Sequence, residues 1–95
     1  MTQSRMYTTL SGEPLELVLY KSDSCYFCYG VVATLEALGM EIPMIDINVE
    51  PGARATLLKV GGKSQVPCLV INGVALYESN DIAEFLQQQV KVAEG

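Results

Sequence analysis

Residues 15–38 read LELVLYKSDSCYFCYGVVATLEAL, and a change of period inside this stretch decides the fold. Leu15 to Tyr20 is a short apolar run bounded by Pro14 and by the Lys21 to Ser24 turn, the pattern of a buried strand. From Cys28 onward the spacing turns helical. Val31, Val32, Leu35 and Leu38 share one face, Ser24 is the predicted N-cap, and Gly39 is the predicted C-terminal cap. A strand, a turn and a helix follow one another, with Cys25 and Cys28 at the junction.

The rest of the chain extends this unit. Met44 to Ile47 follows Pro43 and alternates at Asp46, which predicts a second short strand. Pro51 at a first helical position, then Ala53, Leu57, Leu58 and Val60, with Gly61-Gly62 at the end, predict a second helix. Val66 to Ile71 reads as a strand containing Pro67. Asn72-Gly73 is a two-residue hairpin signal, and Val74 to Tyr77 pairs back. Ser79 is the predicted cap of a last helix with Ile82, Phe85, Leu86 and Val90 on one face, and Asp81 in its first turn suits the dipole.

The order strand-helix-strand-helix-strand-strand-helix specifies an α/β (α+β) domain. A right-handed βαβ crossover makes the first two strands parallel, and the hairpin adds two antiparallel ones. The result is a four-stranded mixed sheet covered by three helices, with Cys25 at one edge atop the first strand. Met1 to Pro14 carries no sustained period and is broken by Gly12 and Pro14. Residues 1–14 are therefore expected as a loose tail, 15–91 as the domain, and 92–95 as a short C-terminal tail.

The chain has 95 residues, 49% of them apolar, which suits one domain with a single modest core. Its formal net charge is −5 and its six Lys and Arg residues are scattered, so no basic stripe exists to neutralise nucleic-acid phosphates. The start is polar and mixed, and nowhere do roughly 18 apolar residues run together. A cytoplasmic monomer, off the membrane, is expected. Three cysteines make a poor staple framework, and a loop as short as Cys25 to Cys28 constrains the unfolded chain little. Histidine is absent, which removes the commonest general base and leaves a zinc site short of donors.

A redox role accounts for the close pair. A free thiol with a pKa of about 8.5 is only a few per cent thiolate at neutral pH, so reactivity needs help. At a helix start, unpaired backbone N–H groups and the positive dipole end favour an anion on Cys25, and Lys21 is placed to add positive charge. Cys28, one turn further in, has lost most of that effect and is cast as the resolving thiol. Pro67 cannot donate to a sheet ladder. On residue type alone it reads equally well as an ordinary trans proline at a strand start or as a cis bond that turns the Val66 backbone outward for a peptide-like substrate.

Taken together, Cys25-Tyr26-Phe27-Cys28, Gln65-Val66-Pro67 and Glu78-Ser79-Asn80-Asp81-Ile82 resemble the glutaredoxins, and the last two also resemble the N-terminal domain of glutathione transferases. The resemblance spans roughly Leu15 to Gln88. It implies a thioredoxin fold, a cis Pro67, and glutathione bound by Lys21, Tyr26, Gln65, Val66, Pro67, Ser79 and Asn80. The Val66 backbone would hold the tripeptide and the start of the last helix its γ-glutamyl end. Tyr26 stands where glutaredoxins commonly have proline. Lys21 lies four residues before the first cysteine where the family's lysine lies three before; Lys63 is a second candidate for the glycine carboxylate, and both read equally as solvated surface charges. Cys68, next to Pro67, reads as a buried packing residue or as a neighbour of the dithiol.

The function these features imply is a glutathione-dependent thiol-disulfide oxidoreductase. Cys25 would attack a protein or small-molecule disulfide, or a glutathione mixed disulfide, and glutathione or Cys28 would resolve the intermediate. Two alternatives stand beside it. One is a carrier of a [2Fe-2S] cluster between two subunits, using Cys25 from each with glutathione thiols, which Tyr26 motivates. The other is a transferase-like glutathione-binding domain without disulfide turnover.

Overall fold

The structure is a computed structural model that describes residues 6–93. In chain order its elements are β1 (Met6–Thr8), β2 (Pro14–Leu15), β3 (Leu17–Lys21), α1 (Tyr26–Ala37), β4 (Met44–Asp46), α2 (Ala53–Gly61), β5 (Cys68–Ile71), β6 (Val74–Leu76), α3 (Ser79–Gln88) and β7 (Lys91–Ala93). The main sheet runs β4-β3-β5-β6, with β3 parallel to β4 and the other neighbours antiparallel. This is the thioredoxin-like four-stranded mixed sheet with three helices. Among the described residues no helix is long and apolar enough to cross a membrane.

The alternation of β3 builds two cores, one on each face of the sheet. Leu17 and Leu19 point to one face, where they pack with Val31 and Leu35 of α1, Leu69 of β5, and Ile82 and Leu86 of α3. Tyr20 points to the other, against Ala53 and Leu57 of α2, Ile47 and Cys68. Leu19, Leu35, Leu57, Leu69 and Ile82 are wholly buried, and each such side chain contributes about 1.5–3 kcal/mol of burial. Asn72 and Gly73 join β5 to β6 with φ of +49° and +83°. This is the backbone that a tight hairpin between right-twisted strands requires. At the end of α2, a Cβ on Gly61 would lie 2.0 Å from the Tyr77 hydroxyl oxygen and 2.7 Å from Ala75 Cβ, so helix and strand approach through a position only glycine fits.

The expected tail needs correcting. Met6–Thr8 pairs antiparallel with both Pro14–Leu15 and Lys91–Ala93, forming a second sheet of order β2-β1-β7. Tyr7 explains why: its ring is buried in the first core, and its hydroxyl donates to the Glu41 carbonyl at 3.1 Å and accepts from the Glu41 N–H at 2.6 Å. The short, irregular spacing around Gly12 hid a strand whose anchor is one aromatic residue. Residues 92 and 93, expected as tail, belong to β7, while residues 1–5 and 94–95 of the expected tails lie outside the described residues.

Helix ends also differ from expectation. Cys25, not Ser24, is the N-cap of α1, and Glu78, not Ser79, that of α3. Gly52, with φ of +79°, caps α2, so Pro51 lies in the preceding turn. Leu58 and Val60 face outward, which leaves Ala53 and Leu57 as the buried side of α2. Gly39 closes α1 as expected, in the left-handed conformation.

Candidate active site

The turn after β3 delivers Cys25 to the head of α1. Ser22 is buried there, and its hydroxyl accepts from the Asn48 side-chain amide at 2.7 Å, while its carbonyl accepts from the Cys25 N–H at 3.1 Å. Cys25 is held in an extended conformation, φ −95° and ψ 115°, and its own sulfur caps the helix by accepting the Cys28 N–H at 3.2 Å. The sulfur thus occupies the position where an N-cap oxygen ordinarily sits, facing the unpaired amides of the first turn. Across from it the Val66 carbonyl oxygen lies 3.7 Å away as an acceptor for the thiol, and the Val66–Pro67 bond is cis.

The three thiols differ in environment. Cys25 is half-exposed, and Cys28 and Cys68 are buried. Burial, and secondarily its hydrogen bond to Cys25, push the Cys28 thiol up to about 12, so it holds its proton at neutral pH. Burial likewise raises Cys68. Cys68 pairs with Tyr20 in the sheet register and packs among the α2-side residues. It is therefore a packing residue on the opposite face from α1. Among the described residues, no three His, Cys, Asp or Glu side chains converge to hold a metal ion.

Cys25, Cys28, Val66 and Pro67 come together. Lys21 does not join a waiting substrate position: its ammonium lies 2.7 Å from Asp23 and 3.7 Å from Asp46, its strand partner. The hydrogen bond to Asp23 raises its pKa. Lys63 lies over the Tyr77 ring, 4.9 Å from its centroid. Gln65 is exposed just before Val66. Ser79 and Asn80 open α3, and with Tyr26 they line a cavity of about 500 Å³ between α1 and α3.

That cavity carries residues the sequence reading passed over, namely Phe27, Tyr29, Gly30 and Thr34. They lie among the core positions Cys28, Val31 and Leu35 of α1 without belonging to them, and a search for the buried face discards them. The signal that would have found them is composition: three aromatics directly after a candidate nucleophile, on the side of a helix that should be polar.

The Glutaredoxin family model matches residues 17–76. Among solved structures, a glutaredoxin from buckwheat in complex with glutathione is 24% identical over 77% of this chain and 69% of its own, with a TM-score of 0.64. The holo form of glutaredoxin C1 from the poplar Populus tremula x tremuloides is 19% identical over 76% of this chain and 74% of its own, TM-score 0.62. An unclassified glutathione S-transferase from Bombyx mori is 27% identical over 75% of this chain, TM-score 0.65. This chain covers 34% of that transferase's length.

Proposed function

The chain belongs to the glutaredoxin family, and from that premise we propose that it is a glutathione-dependent thiol-disulfide oxidoreductase with Cys25 as its nucleophile. The observation that carries the reading is the Cys25 sulfur at the head of α1, fed by the Cys28 N–H at 3.2 Å and flanked by the Val66 carbonyl at 3.7 Å. That sulfur sits where the helix presents its free backbone amides, in a chain without histidine.

The thiolate attacks one sulfur of a disulfide. The old S–S bond breaks, its electron pair leaves with the departing thiolate, and that thiolate takes a proton from solvent. The mixed disulfide on Cys25 is then cleaved either by a glutathione thiolate or by Cys28. Support for the first route comes from burial, the leading cause of the raised Cys28 pKa, which keeps that thiol protonated at neutral pH. The backbone of Val66, with Pro67, and the amides opening α3 at Ser79 and Asn80 form the proposed glutathione site. Lys21 is already engaged by two carboxylates, so it is a weaker partner for a substrate carboxylate than a free lysine would be.

Mass spectrometry after exposure to oxidised glutathione, joined to a glutathione-coupled disulfide reduction assay, tests the proposal. A glutathione adduct on Cys25, loss of turnover in Cys25→Ser and retained deglutathionylation in Cys28→Ser are the expected results. Undiminished turnover in Cys25→Ser would overturn it, as would the absence of any glutathione adduct on Cys25 in the Cys28→Ser variant.

A further inference from the structure

Three aromatic side chains stand in solvent within four residues of Cys25. Tyr26 is 81% exposed, and Phe27 and Tyr29 are each 62% exposed. Large apolar surface of this kind in one place marks a binding surface more often than an accident of folding. Here the three rings border the cavity between α1 and α3, whose volume of about 500 Å³ falls in the range of built binding sites. Tyr26 and Phe27 meet edge to face, with centroids 5.4 Å apart, so that part of the wall is pre-formed. The Tyr29 hydroxyl donates to the Asp23 carbonyl, which ties its ring to the turn that precedes Cys25.

Gly30 strengthens the case. It stands in the middle of α1 without a positive φ, where glycine weakens a helix relative to alanine, yet a Cβ there would meet nothing within 4 Å. No close approach of another element requires a glycine. What its missing side chain leaves is open floor in the groove, a local rule broken without a packing reason.

The lining identifies the occupant. The lining carries no carboxylate, ammonium or guanidinium, so beyond Ser79 and Asn80 the charged ends of glutathione find no ion-pair partner along the α1 wall. Along α1 the groove runs from Tyr26 to Thr34, about 12 Å at 1.5 Å per residue, which is the reach of three or four extended residues. It meets the proposed glutathione site at Ser79 and Asn80. We propose that this groove seats the peptide half of a glutathione mixed disulfide, an extended segment with an aromatic or large aliphatic residue beside its cysteine. The inference rests on the function proposed above. Cys25 attacks the glutathione sulfur, the peptide thiolate leaves and is protonated from solvent, and a second glutathione thiol releases oxidised glutathione and restores Cys25.

The test compares two glutathionylated peptides that differ only in having Phe or Ser on both sides of the cysteine, with the cysteine–glutathione disulfide as a small reference. The expected preference in kcat/KM for the Phe peptide is about tenfold or more. In Gly30→Leu, which fills the floor, the ratio of the two peptides measured in one enzyme sample falls towards one, and Gly30→Ala keeps most of it. Phe27→Ser, changed at an exposed position, lowers the same ratio. Equal turnover of both peptides, or a ratio untouched by Gly30→Leu and Phe27→Ser, overturns the groove assignment while Cys25-dependent reduction of the small disulfide keeps the function standing. If no substrate is reduced through Cys25, both fall.

Discussion

Native alkylation of Cys28 tests the electrostatics of the site directly. With its pKa pushed to about 12, Cys28 at pH 7 is about 1 part in 100,000 thiolate, some 3,000-fold less than an ordinary cysteine of pKa about 8.5. The more basic thiolate is also the better nucleophile. With a Brønsted slope of about 0.45, the gap of about 3.5 units returns a factor of roughly 40. Cys28 should therefore react about 80-fold more slowly than an unfolded cysteine, before its 2% exposure slows it further. Iodoacetamide at pH 7 under reducing conditions, followed by intact mass and peptide mapping, should give one fast adduct at Cys25. Three adducts should appear only after denaturation. Alkylation of Cys28 within tenfold of the unfolded rate, or ahead of Cys25, would refute the argument that burial keeps it protonated.

Other expectations concern the frame around the site. Gly61→Ala should lower stability by about 2 kcal/mol, as overpacking against Tyr77 and Ala75 and the disturbed Tyr77–Lys63 hydrogen bonds outweigh the gain in helix propensity. The melting temperature should drop by roughly 8–16 °C, and an unchanged melt would mean the close approach is not real. Tyr7→Phe, which keeps the buried ring but removes both hydrogen bonds to Glu41, should cost about 1–2 kcal/mol by urea titration. Cys28 and Cys68 are acids whose folded pKa values are raised above that of an ordinary cysteine, chiefly by burial. The unfolded chain therefore loses those protons first, and stability should fall as pH rises from about 9 towards 12. A reduced Cys28→Ala/Cys68→Ala variant should show a flatter decline in urea midpoint between pH 7 and 10; a slope identical to the parent's would sink the assignment.

Much of this arrangement was legible because its causes are local. The period change around Cys25 and the Asn72-Gly73 dipeptide each encode their own backbone, and the observed βαβ unit and hairpin follow them. Caps were less legible. Ser24 and Ser79 are better capping residues by type, but Ser22 fixes the turn so that the Cys25 sulfur reaches the Cys28 amide instead. The second sheet was illegible because its strands have two or three residues each, too few to show a period, and it depends on a partner more than 80 positions away. Only part of the fate of Lys21 was hidden for the same reason: Asp23 stands two residues away in sequence, whereas its strand partner Asp46 is fixed by the parallel register.

The small sheet has a mechanical consequence. Met6 faces Ala93 at the outer end of the β1–β7 ladder, with Tyr7 opposite Val92 and Thr8 opposite Lys91 further in. Tension between those outer residues opens the ladder from one end, a pair at a time, instead of loading all its bonds together as sliding would. A machine that drags on both ends meets a zipper first. The ring of Tyr7, seated in the core one residue along, is then the latch that decides whether the tug reaches the rest of the protein.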